Sequence, residues 1–134
     1  MTKLSVIEGI GDVFADKLRA EGVRSIEALL EACITKNGRA ELAAKTGISE
    51  KLILTWANHA DLFRIKGVGS QYADLLEEAG VDTVPELAQR NAENLFKTMM
   101  EKSEAKNLVR KLPSQGQVAD WIEQASRLPR TLQY

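Results

Sequence analysis

Ile7-Glu8-Gly9-Ile10-Gly11 and Ile65-Lys66-Gly67-Val68-Gly69 share one pattern, aliphatic–X–Gly–aliphatic–Gly. Each has Ala at the fourth position after its last glycine, Leu three residues on, and Gly-Val four beyond that. The spacing has a physical reading. Glycine tolerates positive φ, so such a stretch lets the backbone double back tightly. Ile10 and Val68 then plug the turn into a core, and Ala15 and Ala73 are small where two helices cross. The last glycine of each motif is expected where a Cβ would meet neighbouring backbone or an unfavourable dihedral.

Working outward, a shift of 58 positions lays Ile7–Leu30 over Ile65–Ala88. The identical pairs are Ile7/Ile65, Gly9/Gly67, Gly11/Gly69, Ala15/Ala73, Asp16/Asp74, Leu18/Leu76, Gly22/Gly80, Val23/Val81 and Leu29/Leu87. The chain is therefore an internal duplication. A second echo, at a shift of 65, pairs Ser49 with Ser114, Trp56 with Trp121 and Ala60 with Ala125. Each unit is thus a turn followed by helices, the last of which carries a tryptophan.

The rest reads as helix, with punctuation at the expected places. The pattern predicts helices over Asp12–Glu21, then from a Ser25 cap to Ile34, with a break at Asn37-Gly38. Further helices are predicted over Arg39–Lys45 and, from a Ser49 cap, over Glu50–Leu62. In the second half Ser70 is expected to cap a helix ending at Gly80, and Thr83-Val84-Pro85-Glu86 reads as a capping box. Asn91 opens a helix to Met100, Ser103 one to Leu112, and Pro113-Ser114 the last. Only the final few residues look loose. No segment alternates with a period of two, so no sheet is expected.

Composition bounds the function classes. The 134 residues are 44% hydrophobic and 28% charged, with net charge −1 and a pI near 5.9, so no overall basic character announces a polyanion partner. No apolar run reaches the roughly 18 residues of a membrane span, and no secretory leader is read at the N-terminus. We expect a cytoplasmic protein without membrane contact. Cys33 and His59 are the only residues of their kinds, so the usual transition-metal ligand sets cannot be assembled and no catalytic triad is suggested. No metal site, no cofactor and no enzymatic activity are expected. Trp56 and Trp121 could stack bases, but each lies on an aliphatic stripe, and core packing is the stronger account.

The paired turns resemble a tandem helix-hairpin-helix protein. More narrowly, the chain is similar to a bacterial family of helix-hairpin-helix domains of unknown function, over nearly its whole length. The resemblance implies an all-α fold of two pseudo-two-fold related helix-hairpin-helix units, 1–64 and 65–134, fused into one compact globule. It also implies sequence-independent binding of the DNA or RNA backbone, with a monovalent cation held by hairpin-loop carbonyls. The alternative is a protein–protein interaction or scaffold module in which the hairpins are purely structural.

The charges rank the two hairpins. Arg64 and Lys66 precede the second turn and Ser70 and Gln71 follow it. The candidate contact set is therefore Arg64, Lys66, Gly67, Val68, Gly69, Ser70 and Gln71. The first turn offers Gly9, Ile10, Gly11 and, behind it, Lys17, but Glu8 and Asp12 flank the place of a phosphate. Asp74, Glu77 and Glu78 stand behind the better turn, so binding at physiological salt is expected to be weak. Lys102, Lys106 and Arg110 form a basic extension if one helix carries them. A hairpin of this kind needs a helix on each side, and Met1–Val6 is too short to be one. The last helix is therefore expected against the first hairpin, with Trp121 beside Phe14 and Leu18, and Trp56 beside Tyr72 and Leu76. The chain would then be a monomer closed on itself or a swapped dimer.

Overall fold

The computed structural model describes residues 2–106 and 111–134, with Lys106 by its backbone alone. Every regular element among them is helical. After a single 3-10 turn at Leu4–Val6, the helices are α1 (Asp12–Ala20), α2 (Ile26–Ala32), α3 (Lys36–Thr46), α4 (Glu50–Leu62), α5 (Ser70–Glu78), α6 (Val84–Ala88), α7 (Ala92–Lys106) and α8 (Gln115–Arg127). The chain divides into two compact units, Met1–Asp61 with Thr131–Tyr134, and Leu62–Arg130.

In the first unit, α1 ends at Gly22, whose φ of +84° suits the left-handed position past a helix end. Ser25 then caps α2 by accepting the Ala28 amide at 3.1 Å. Leu4, Ile7, Ile10, Leu18, Leu29, Ile53 and Trp56 are buried. Asn37-Gly38 does not break the chain, as the sequence pattern suggested. The interruption falls at Cys33–Thr35, and Thr35 caps α3 by accepting the Gly38 amide at 2.9 Å. A Cβ on Gly38 would stand 2.5 Å from the Ala32 carbonyl oxygen, so glycine lets α2 and α3 meet closely. The final residues are also better anchored than expected: Gln133 N–H donates to the Ile34 carbonyl at 2.8 Å, and Leu132 is buried.

The second unit repeats the order of elements. Gly80 (φ +92°) ends α5, Thr83 caps α6 through the Glu86 amide at 3.3 Å, and α8 packs on α6 and α7. The Thr83 cap is half of a capping box, because the Glu86 carboxylate takes the Thr83 hydroxyl rather than its backbone amide. A full box starts α8, where Ser114 accepts from Gln117 N–H and Gln117 Oε1 accepts from Ser114 N–H. Ile65, Val68, Leu76, Leu87, Leu95, Met99, Val118 and Trp121 form one core.

Ser103 starts no new helix. Leu95, Met99 and Ser103, four apart, lie on one buried stripe of a helix that runs unbroken to Lys106. Part of the helix predicted from Ser103, with Arg110, lies outside the described residues.

The tryptophans overturn the expected closure. Trp56 meets Phe14 edge-on, ring centroids 5.2 Å apart, within the first unit. Trp121 meets Tyr72 at 5.1 Å within the second. Each unit's last helix therefore closes on that unit's own turn.

Candidate functional site

The second turn is built from Leu62 onward. Ile65 N–H donates to the Leu62 carbonyl at 3.0 Å and Val68 N–H to the Ile65 carbonyl at 3.2 Å, folding the chain into two successive tight turns. Ile65 and Val68 are buried. Between them Gly67 takes φ +97° and Lys66 points to solvent. The first turn has the same geometry: Ile7 N–H to the Leu4 carbonyl at 3.1 Å, Ile10 N–H to the Ile7 carbonyl at 3.2 Å, and Gly9 at φ +94°.

The first glycine of each pair bears the strained dihedral, and the last does not. Gly69 has φ −101° and ψ −168°, Gly11 φ −86° and ψ −173°, and a Cβ at either would meet nothing within 4 Å. This corrects the expectation of a steric or dihedral demand there. Both glycines are instead N-caps, and both leave open space before the first amides of a helix. Their neighbours behave differently. α2, α3, α4, α6, α7 and α8 are each capped by a serine, threonine or asparagine side chain. Only α1 and α5, the helices behind the two turns, start without a side-chain cap. Ser70, expected as the cap, is the first residue of α5. A helix's opening N–H groups have no intrahelical acceptor and carry the positive end of its dipole.

Two residues of α8 hold the second turn in shape, Gln124, which sequence reasoning missed, and Trp121. Gln124 of α8 accepts from Lys66 N–H at 2.9 Å and donates through Nε2 to the Lys66 carbonyl at 3.1 Å, which fixes the backbone and leaves the lysine side chain outside. Trp121 sets its indole nitrogen where a Cβ on Gly67 would stand 3.0 Å away. The signal for Gln124 was its place three residues after Trp121, on the same face of a helix.

The charged candidates are not equally presented. Lys66 and Gln71 are exposed and Ser70 is half-buried. Arg64 is half-buried and donates to the Pro129 carbonyl, so part of its guanidinium is engaged within the unit. Half-buried Asp74 and Glu78 and exposed Glu77 lie on α5. At the first turn Glu8 and Asp12 are exposed, and Lys17 stands 6.0 Å over the Phe14 ring. Lys102 is exposed on α7, the side chain of Lys106 is not described, and Arg110 lies outside the described residues. Both tryptophans are almost wholly buried, so neither presents a ring to a base. The cation implied by the resemblance would need turn carbonyls. At the second turn those of Ile65 and Lys66 already accept N–H groups of the chain, and no role is assigned to a cation.

Among the described residues these features define an all-helical protein of two units with four α-helices each, each opening on a Gly-X-Gly turn that leads into a helix start without a side-chain cap. The chain belongs to the family described as Domain of unknown function (DUF4332), which matches residues 8–128 and so takes in both turns and α8. No curated protein and no solved structure matches it. Among the described residues no helix is long and apolar enough to cross a membrane.

Proposed function

We propose that the chain is a non-catalytic module of two helix-hairpin-helix units that binds nucleic-acid backbone without reading sequence, chiefly through the second turn. The observation that carries the reading is the capping pattern. Six helices satisfy their own first amides with a side chain, and the two behind the Gly-X-Gly turns do not. A phosphate oxygen is the acceptor such a helix start favours. At the second turn Lys66, its backbone fixed by Gln124, adds an exposed cation, while Glu8 and Asp12 repel a phosphate at the first.

The test is an anisotropy titration of labelled duplex and single-stranded DNA across a salt series. Neutralising phosphates releases counterions, so log Kobs should fall linearly with log salt, by about 0.9 for each phosphate contacted on duplex DNA. Affinity that ignores salt, or no binding at about 50 mM salt, would contradict the proposal.

A second reading has its own support at the first turn. Val13, on α1, is 68% exposed beside acidic Asp12, where the second turn has Gln71. An exposed apolar side chain among carboxylates suits a protein partner with a basic rim. Under that reading Val13→Asp abolishes partner capture and leaves DNA affinity unchanged.

A further inference from the structure

In the first unit a cleft of about 430 Å³ is lined by Lys36 and Arg39 of α3, Glu50, Lys51 and Leu54 of α4, and Tyr134. Its size falls among small-molecule sites, which span roughly 300–1,000 Å³. Arg39 decides its chemistry. The residue is 6% exposed, yet it forms no ion pair among the described residues. One guanidinium nitrogen donates to the carbonyls of Cys33 at 2.9 Å and Ile34 at 3.4 Å, and the group lies 5.5 Å from the centre of the Tyr134 ring. No hydrogen bond among the described residues uses its Nε or Nη2. A buried cation with carbonyl dipoles and an aromatic face for company, but no anion, is incompletely compensated. Its remaining donors form a planar fork that matches two oxygens of one phosphate.

The rest of the wall narrows the ligand. Exposed Lys36 and Lys51 bring the side chains of the lining to three cations and one carboxylate, Glu50. Leu54 and the ring of Tyr134 add apolar surface that a bare inorganic ion would leave unused. We propose that this cleft binds a nucleoside monophosphate. The phosphate pairs with Arg39, Lys36 and Lys51, and the base lies against Tyr134 and Leu54. Glu50 accepts from a ribose hydroxyl or an exocyclic amine. The site uses other elements than the Gly-X-Gly turns and does not depend on their reading.

Calorimetric titrations of the full chain with 5′-AMP, adenosine and inorganic phosphate test it. AMP should bind about ten-fold or more tighter than either fragment, since only it satisfies both the cations and the ring. Because Arg39 also ties down the α2–α3 turn, the exposed residues carry the mutational arm. Lys36→Ala with Lys51→Ala, and separately Tyr134→Leu, should each weaken AMP by about ten-fold, while Lys45→Ala, an exposed lysine of α3 outside the cleft, should not. Adenosine or phosphate binding as tightly as AMP overturns the proposal. So does AMP affinity that survives both cleft variants, or no AMP binding at about 1 mM.

Discussion

At Gly67 a Cβ would crowd the Trp121 indole nitrogen at 3.0 Å in a backbone of φ +97°, whereas at Gly69 it would enter open space at φ −101°. Gly67→Ala should therefore lower unfolding stability by about 1–3 kcal/mol, and Gly69→Ala by less than about 1 kcal/mol. Urea denaturation of the two variants checks the difference, and equal losses would contradict the geometry. The motif's spacing marked both positions as glycine for a reason but could not separate the reasons. One is a dihedral demand and the other an unobstructed helix start, and both look alike in sequence. Cys33 makes a second point at this scale. Burial pushes its thiol up to about 11, against the opposing field of Arg39. In the folded protein iodoacetamide at about pH 8 should label it far more slowly than a free thiol, and denaturant should restore the rate. Free-thiol labelling without denaturant would contradict that burial.

Helix starts carry the functional argument, and they respond to single substitutions in opposite senses. Gly69→Asp would place a carboxylate where the open N-cap now faces solvent. It should stabilise α5 by roughly a few tenths of a kcal/mol and abolish DNA binding by occupying the amides with a fixed negative charge. Melting and anisotropy on the same variant separate the two effects, and Gly69→Asp that retains affinity would remove the helix start from the account. Lys66→Glu should likewise weaken DNA far more than Glu8→Lys strengthens it. Much of this level was legible in sequence. α4, α6 and α8 stand where Ser49, Thr83 and Ser114 predicted them. α3 was misplaced because Asn-Gly is an ordinary turn signal, and here Thr35 captures the Gly38 amide into a first helical turn instead. The break expected at Ser103 failed for the complementary reason. A small hydroxyl residue is compatible with a buried stripe between helices, so its capping preference is overruled by packing.

Across the whole molecule, each unit closes its own turn with its own tryptophan helix. Trp121→Ala should cost about 3–5 kcal/mol and open amide exchange through Ile65–Val81, and Trp56→Ala should do the same for Ile7–Val23. Exchange opening in the other unit's turn would reverse the closure. Both sequence echoes fit this arrangement, since each turn has a tryptophan helix downstream of it, but the expectation drawn from them set each tryptophan on the other turn. The first turn needs no helix immediately before it, since the single 3-10 turn at Leu4–Val6 stands there and α4 closes on it from downstream. The sequence marked Gln124 only by its place three residues after Trp121, because its role exists only once α8 lies against the second turn. An amide chemical-shift titration with a short DNA duplex at low salt probes the proposed phosphate-binding helix start at the second turn. The largest movements should fall on Lys66 and on Gly69–Ala73, with smaller ones at Gly11–Ala15, and all should fade as salt rises. Movements confined to Gly11–Ala15, or absent from both helix starts, would contradict it.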